Sequence, residues 1–214
     1  MCNTMEIIFV RHAQSVGNLE KKLCGSTDFP LSKQGEKQAK AIGKYLSNMQ
    51  LDKIYSSPML RAIDTAIYIQ ALQQNASCVY ILDGVREMNF GLCDGMLHEK
   101  VLELMPEEFL RWQNVTRYPE GFPMQETADA CIARFTDAVL GILEEEKDAG
   151  KICIVTHGTA LRLFLGEVLG YGKENLIDIP KSKNTAISRL SYDRKTKKFT
   201  ALELSNADHL EYID

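Results

Sequence analysis

Arg11 and His12 stand side by side where an apolar run ending at Val10 stops, with Ser15 and Asn18 shortly after. A permanent cation, an imidazole and two small hydrogen-bonding side chains at a strand end suit the capture of an anion. A second imidazole, His157, follows the apolar run "KICIVT" (151–156) and precedes Gly158. The two histidines are distant in the chain, so the fold must join them if both are to act on one ligand.

The elements that could do this alternate along the chain. "MEIIFV" (5–10), "DKIYSS" (52–57), "CVYIL" (78–82) and "KICIVT" (151–156) read as strands, apolar as in a sheet covered on both faces. Ser32 reads as an N-cap ahead of the stripe Ala39, Ile42, Leu46 and Met49. Ser57 at N-cap and Pro58 in the first turn predict a second helix. A long helix is expected over 127–146, with Ala128, Ile132, Phe135, Val139 and Ile142 on one side. "HGTALRLFLGEVLG" (157–170) reads as a helix closed by glycine, and Thr185–Tyr192 with Phe199–Leu204 as a closing hairpin. The fold class implied is α/β, a three-layer sandwich with a mainly parallel central sheet and helices on both faces. Such sheets bind ligands beyond the carboxyl ends of their strands, where Arg11-His12 and His157-Gly158 both fall.

Length and composition bound the rest. The 214 residues suit a single domain over 1–214, with a small helical lid insertion at about 91–124, where Pro106, Pro119 and Pro123 break the pattern. A net charge of −4 argues against nucleic acid as a partner. Six cysteines (2, 24, 78, 93, 131, 153) without a C-x-x-C pair read as free thiols in a reducing compartment, mostly in the core. No residue spacing suggests a metal site. No basic region leads into a long apolar stretch, and no run reaches the ~18–20 apolar residues of a membrane span. A cytoplasmic protein is expected, monomer or homodimer.

Five blocks then fall in one register: "RHAQSVGN", "CGSTDFPLSKQGEKQA", "SSPMLRAIDTA", "REMNFGLCDG" and "VTHGTALR". Together they resemble the histidine phosphatase superfamily, the phosphoglycerate-mutase-like proteins, with the shorter lid of its phosphatase branch. The resemblance runs from about Glu6 to Leu165 and implies that family's fold. It implies that His12 is the nucleophile that becomes phosphohistidine, that Arg11, Arg61 and His157 clamp phosphate, and that Glu87 donates the proton. Asn18 and the Cys24-Gly25 step match places that touch phosphate or substrate. Ser15 and Gly158 complete the candidate ligand-binding set. Singly, each residue has an ordinary reading as surface turn, solvated side chain or helix start; in joint register they point to one site.

The chemistry requires these residue types. A phosphate monoester carries about −1.5 to −2 charges at neutral pH, so its transfer depends on positioning and charge stabilisation. Guanidiniums supply planar paired donors that stay charged. A neutral imidazole attacks through one ring nitrogen while the other is fixed by a hydrogen bond, and the leaving alkoxide needs a nearby acid. No step calls for a metal or cofactor. The expected partner is a small-molecule phosphate ester.

Three departures bear on substrate. Ala13 replaces the glycine after Arg-His, Gln14 replaces the commoner glutamate, and Gln125 replaces a glycine before Glu126-Thr127. In the lid, Lys100, Arg111 and Arg117 could meet a second anionic group on the substrate. His98 and His209 are expected on the surface, "EEEKD" (144–148) as a solvated helix end, and Met88, Met96, Met105 and Met124 as gap fillers. Phosphoglycerate mutase and a catalytically silent phospho-ligand binder stand as alternatives to hydrolysis.

Overall fold

Alternate side chains of the first strand face opposite cores, and this sets the layering. In the computed structural model, which describes residues 4–75, 78–114, 121–172 and 175–211, strand β1 spans Thr4–Arg11. Its Met5, Ile7 and Phe9 join one buried cluster, while Ile8 and Val10 join another. Period-two alternation with apolar residues on both faces is what a covered central strand requires.

After β1 the chain forms α1 (Val16–Leu19), α2 (Lys33–Leu46), β2 (Lys53–Ser56), α3 (Leu60–Gln70) and β3 (Val79–Ile81). Then come α4 (His98–Leu104), α5 (Pro106–Asn114), α6 (Ala128–Glu145), β4 (Lys151–Thr156) and α7 (Gly158–Val168). The hairpin β5 (Ile187–Asp193) and β6 (Lys198–Asn206) closes the sheet. Strand order is β3-β2-β4-β1-β5-β6, parallel from β3 to β1 and antiparallel through β5 and β6. Helices α2 and α3 cover one face through Ile42, Leu46, Ala62, Ala66 and Ile69. Helices α6 and α7 cover the other, where the Phe135 and Phe164 rings stack at 4.7 Å above Phe9. The three-layer α/β sandwich is therefore the observed architecture.

Register brings three chain segments to one edge. Arg11 pairs with Thr156, Ser56 pairs with Val155, and the His12 N–H donates to the Thr156 carbonyl at 2.8 Å. Over this edge α4 and α5 form a cover held by Phe90, Phe109, Trp112 and Phe122.

Several local expectations change. Helix α3 starts at Leu60, not Pro58, with Met59 as N-cap. The Ser57 hydroxyl is taken by His157 at 2.7 Å, and the Asp28 carboxylate accepts the Leu60 N–H at 3.0 Å instead. His209 is buried against Tyr45 and hydrogen-bonded to Thr185, not on the surface. Met124 is 81% exposed and fills no gap. Cys93, Cys131 and Cys153 are buried, but Cys78 is exposed and Cys24 half-buried. Among the described residues no helix is long and apolar enough to cross a membrane.

Candidate active site

The turn after β1 fixes His12. Its Nδ1 lies 2.7 Å from the Ala13 carbonyl oxygen. A carbonyl only accepts, so the hydrogen-bond network assigns the proton to Nδ1 and leaves the Nε2 lone pair free. Burial, then the charges of Arg61 and Arg11, hold this imidazole well below its ordinary pKa. His12 is thus an uncharged imidazole at neutral pH. Ala13 replaces glycine without strain: its φ is not left-handed, and its N–H donates to Thr65 Oγ1 at 3.0 Å.

His157 stands at the end of β4, and its ring centroid lies 5.0 Å from that of His12. Its Nε2 is 2.7 Å from Ser57 Oγ, which also accepts the Met59 N–H at 3.4 Å. With the Ser57 proton turned to Nε2, the network assigns a hydrogen to His157 Nδ1. Burial and then Arg61 keep this ring neutral as well.

Arg61, in the first turn of α3, is fully buried. It donates to the carbonyls of Thr27 (3.1 Å), Cys24 (3.1 Å) and Gly25 (2.8 Å), and Asp28 lies 3.5 Å away. The loop supplying those carbonyls is itself tied down by Asp94. That carboxylate accepts from Gly25 N (2.8 Å), Ser26 N (2.7 Å) and Ser26 Oγ (2.7 Å). A side chain on Gly25 would come within 2.5 Å of the Met88 carbonyl oxygen, so this approach needs glycine.

Three buried nitrogens near His12 have no partner among the described residues: Nε of Arg11, Nε of Arg61 and Nδ1 of His157. Leaving a buried donor unmatched costs about 1–3 kcal/mol. Three at one place describe a site that an oxyanion would complete.

Glu87, in the loop after β3, faces the same place and is held against the start of α7. Its Oε1 accepts from Met88 N (2.9 Å) and Ala160 N (2.8 Å), and its Oε2 from Thr159 N (3.1 Å). Arg134 on α6, paired with Glu126 at 2.6 Å, donates to the carbonyls of Gly84, Arg86 and Glu87 and so fixes that turn.

A cavity of about 420 Å³ opens on these groups, lined there by Arg11, His12, Asn18, Cys24, Glu87 and Gly158. Arg61 and His157 lie fully buried behind it. Ser15 and Gly25 do not line it. Ser15 is the N-cap of α1: its hydroxyl accepts from Asn18 N at 3.2 Å, while Asn18 Oδ1 accepts from Ser15 N. Gly25 serves Arg61 through its carbonyl.

Lys100 and Arg111 also stand apart, paired with Glu103 (3.0 Å) and Glu108 (3.3 Å) on their own helices. Arg117 lies outside the described residues. The lid instead presents His98, half-buried between Phe109 and Trp112 and lining the cavity, contrary to a surface position. Sequence reasoning passed over Ser57, Asp28 and Asp94, although each sits within a matched block. Asn184 lay in no block; its Nδ2 donates to His12 O (3.0 Å) and Asn18 Oδ1 (3.2 Å).

Comparison with known proteins agrees with this geometry. The chain is similar to phosphoserine phosphatase 1 of Hydrogenobacter thermophilus, 32% identical over 191 residues, 88% of this chain and 84% of that one. It is also similar to the probable phosphoglycerate mutase GpmB of Escherichia coli, 26% identical over 221 residues, 98% of this chain and 95% of that one. In fold it resembles YhfR of Bacillus stearothermophilus, with a TM-score of 0.87 at 22% identity over 96% of this chain and 99% of that one. Residues 7–205 match the histidine phosphatase superfamily (branch 1). The chain therefore belongs to that superfamily, as a phosphatase-class enzyme.

Proposed function

We propose that this protein hydrolyses a small phosphate monoester through a phosphohistidine formed at Nε2 of His12. The observation that carries the reading is the set of three unpartnered nitrogens, on Arg11, Arg61 and His157, gathered around a neutral His12. The ester phosphate takes those donors, and Nε2 attacks phosphorus opposite the leaving oxygen. The P–N bond forms as the ester P–O bond breaks, and the alkoxide leaves with a proton from the Glu87 carboxyl. Glu87, now a carboxylate, then takes a proton from water; the oxygen attacks phosphorus, the P–N bond breaks, and phosphate departs. Fixed guanidiniums hold the charge on the transferring group throughout.

Residues 1–214 act as a single domain in this reading, and α4 and α5 of the segment at about 91–124 cover the cavity. Five free cysteines among the described residues support a reducing, cytoplasmic setting. The partner is a small molecule, not nucleic acid, and the protein works as monomer or homodimer without metal.

The test is p-nitrophenyl phosphate turnover with an alkaline quench and mass spectrometry of the protein. The adduct is expected on His12, turnover survives EDTA, vanadate inhibits, and His12→Ala loses at least about a thousandfold. Full activity in His12→Ala, or an adduct elsewhere, overturns the proposal. Product analysis with 3-phosphoglycerate separates hydrolysis from the mutase reaction that one relative's name suggests.

A further inference from the structure

Arg162 is a buried arginine that the phosphate site does not use. It lies on α7, five residues past His157, about 7.5 Å further along the axis at a rise of about 1.5 Å per residue. It is 9% exposed and lines the same cavity as His12. Its Nη2 donates to the Leu176 carbonyl, while its Nε and Nη1 have no partner among the described residues. Burial lowers its pKa, and among the described residues no charged neighbour is named as acting on it.

A part-buried arginine that serves the fold uses its nitrogens more fully. Arg134 on α6 uses Nε, Nη1 and Nη2 together on Glu126 and three carbonyls. Among the described residues Arg162 leaves two of its three nitrogens unmatched, where Arg11 and Arg61 each leave only Nε. The cavity wall, among the described residues, carries four basic side chains, Arg11, Lys22, Arg162 and Lys181, and one carboxylate, Glu87. Glu87 accepts three backbone N–H groups and acts on Arg11 and Arg61, and it is not among the influences on Arg162. Beside Arg162 the wall is apolar, with Phe90, Trp112, Leu163 and Leu176.

We infer that Arg162 forms a second oxyanion subsite, and that the substrate is a phosphate monoester bearing a further carboxylate or phosphate on a short carbon skeleton. This rests on the phosphomonoester reading above. The ester phosphate sits at His12, the second anion reaches Arg162 one and a half helical turns deeper, and the skeleton crosses the apolar wall between them. Hydrogen bonds from a desolvated guanidinium to an anion are among the stronger ones a site can offer. The lid cations Lys100 and Arg111 are not needed for this role.

Matched ester pairs test the inference. The carboxylate arm compares 3-phosphoglycerate with glycerol 3-phosphate, and O-phosphoserine with O-phosphoethanolamine. The phosphate arm compares fructose 1,6-bisphosphate with fructose 6-phosphate. Wild-type protein is expected to prefer the doubly anionic member of at least one arm by about tenfold or more in kcat/KM. Arg162→Gln shrinks that ratio about tenfold, and Arg162→Lys retains part of it; general damage to the fold would lower both members alike. Ratios near one in both arms, or ratios that Arg162→Gln leaves untouched, overturn the subsite. Calorimetric titration of 3-phosphoglycerate and glycerol 3-phosphate, and of the two fructose phosphates, reads the same preference without turnover. A protein that hydrolyses none of these esters but binds the doubly anionic member more tightly through Arg162 refutes the hydrolysis and keeps the subsite. Equal affinities in both arms refute the subsite alone.

Discussion

Ser57 Oγ lies 2.7 Å from Nε2 of His157, and this contact orients that ring toward His12. Replacing Ser57 with alanine removes the partner of a buried nitrogen and frees the ring to turn. The loss of one buried hydrogen bond, about 1–3 kcal/mol, corresponds to a fall of about tenfold to a hundredfold in kcat/KM. Ser57→Thr, which keeps the hydroxyl, should restore most of the rate. Steady-state kinetics on the three proteins checks this; equal rates in Ser57→Ala and wild type would refute it.

Both active-site imidazoles are neutral far into acid, because burial and the neighbouring guanidiniums oppose their protonation. Lowering the pH through 6.5, the ordinary imidazole value, should therefore leave His12 nucleophilic. The acid limb that remains belongs to the ester, whose second ionisation falls near ~6. A kcat/KM profile measured with aryl phosphates of differing acidity should move with the ester. A limb fixed at one pH for every ester would assign it to the protein.

Asp94 never reaches the cavity, yet it holds the loop that holds Arg61. Asp94→Ala strands the N–H groups of Gly25 and Ser26 and loosens the carbonyls that receive the guanidinium. A stability loss of about 1–3 kcal/mol is expected, with a raised KM. Thermal unfolding and kinetics measure the two effects on the same sample.

His209 gives stability a pH dependence of known sign. Burial lowers its folded pKa to about 4, below the ordinary value of 6.5. The unfolded chain therefore binds the proton first as pH falls. Stability is full above about 6.5 and declines between about 6.5 and 4, by at most about 3 kcal/mol from this group. His12 and His157 add a decline of the same sign. Urea unfolding should show a flatter dependence in His209→Gln across that window; an unchanged slope would count against it.

The fold was legible because its strands are covered on both faces, so they stand out as unbroken apolar runs. The candidate cluster was legible because Arg11, His12, Arg61 and His157 lie at the ends of regular elements, while Glu87, in a loop, was marked only by its matched block. The start of α3 was misread for a physical reason: the Ser57 hydroxyl that looked like a cap is spent on His157. His98 and His209 were misread because a polar residue type does not report its burial. Ser15 carried the right chemistry for a ligand but uses it on its own helix. Arg162 was silent because sequence displays a charge and not the absence of a partner for it. Asn184 comes from a loop with no periodicity and no pattern to mark it.

That loop has a consequence for biosynthesis. The carbonyl of His12 receives Asn184, and the carbonyl of Arg11 receives the N–H of Thr185. A nascent chain whose synthesis stalls before these residues emerge already carries both histidines and both guanidiniums but lacks the clasp that orients the first pair. Competence thus arrives late in translation, and a prematurely terminated product is a poor catalyst even where its remaining sheet has folded.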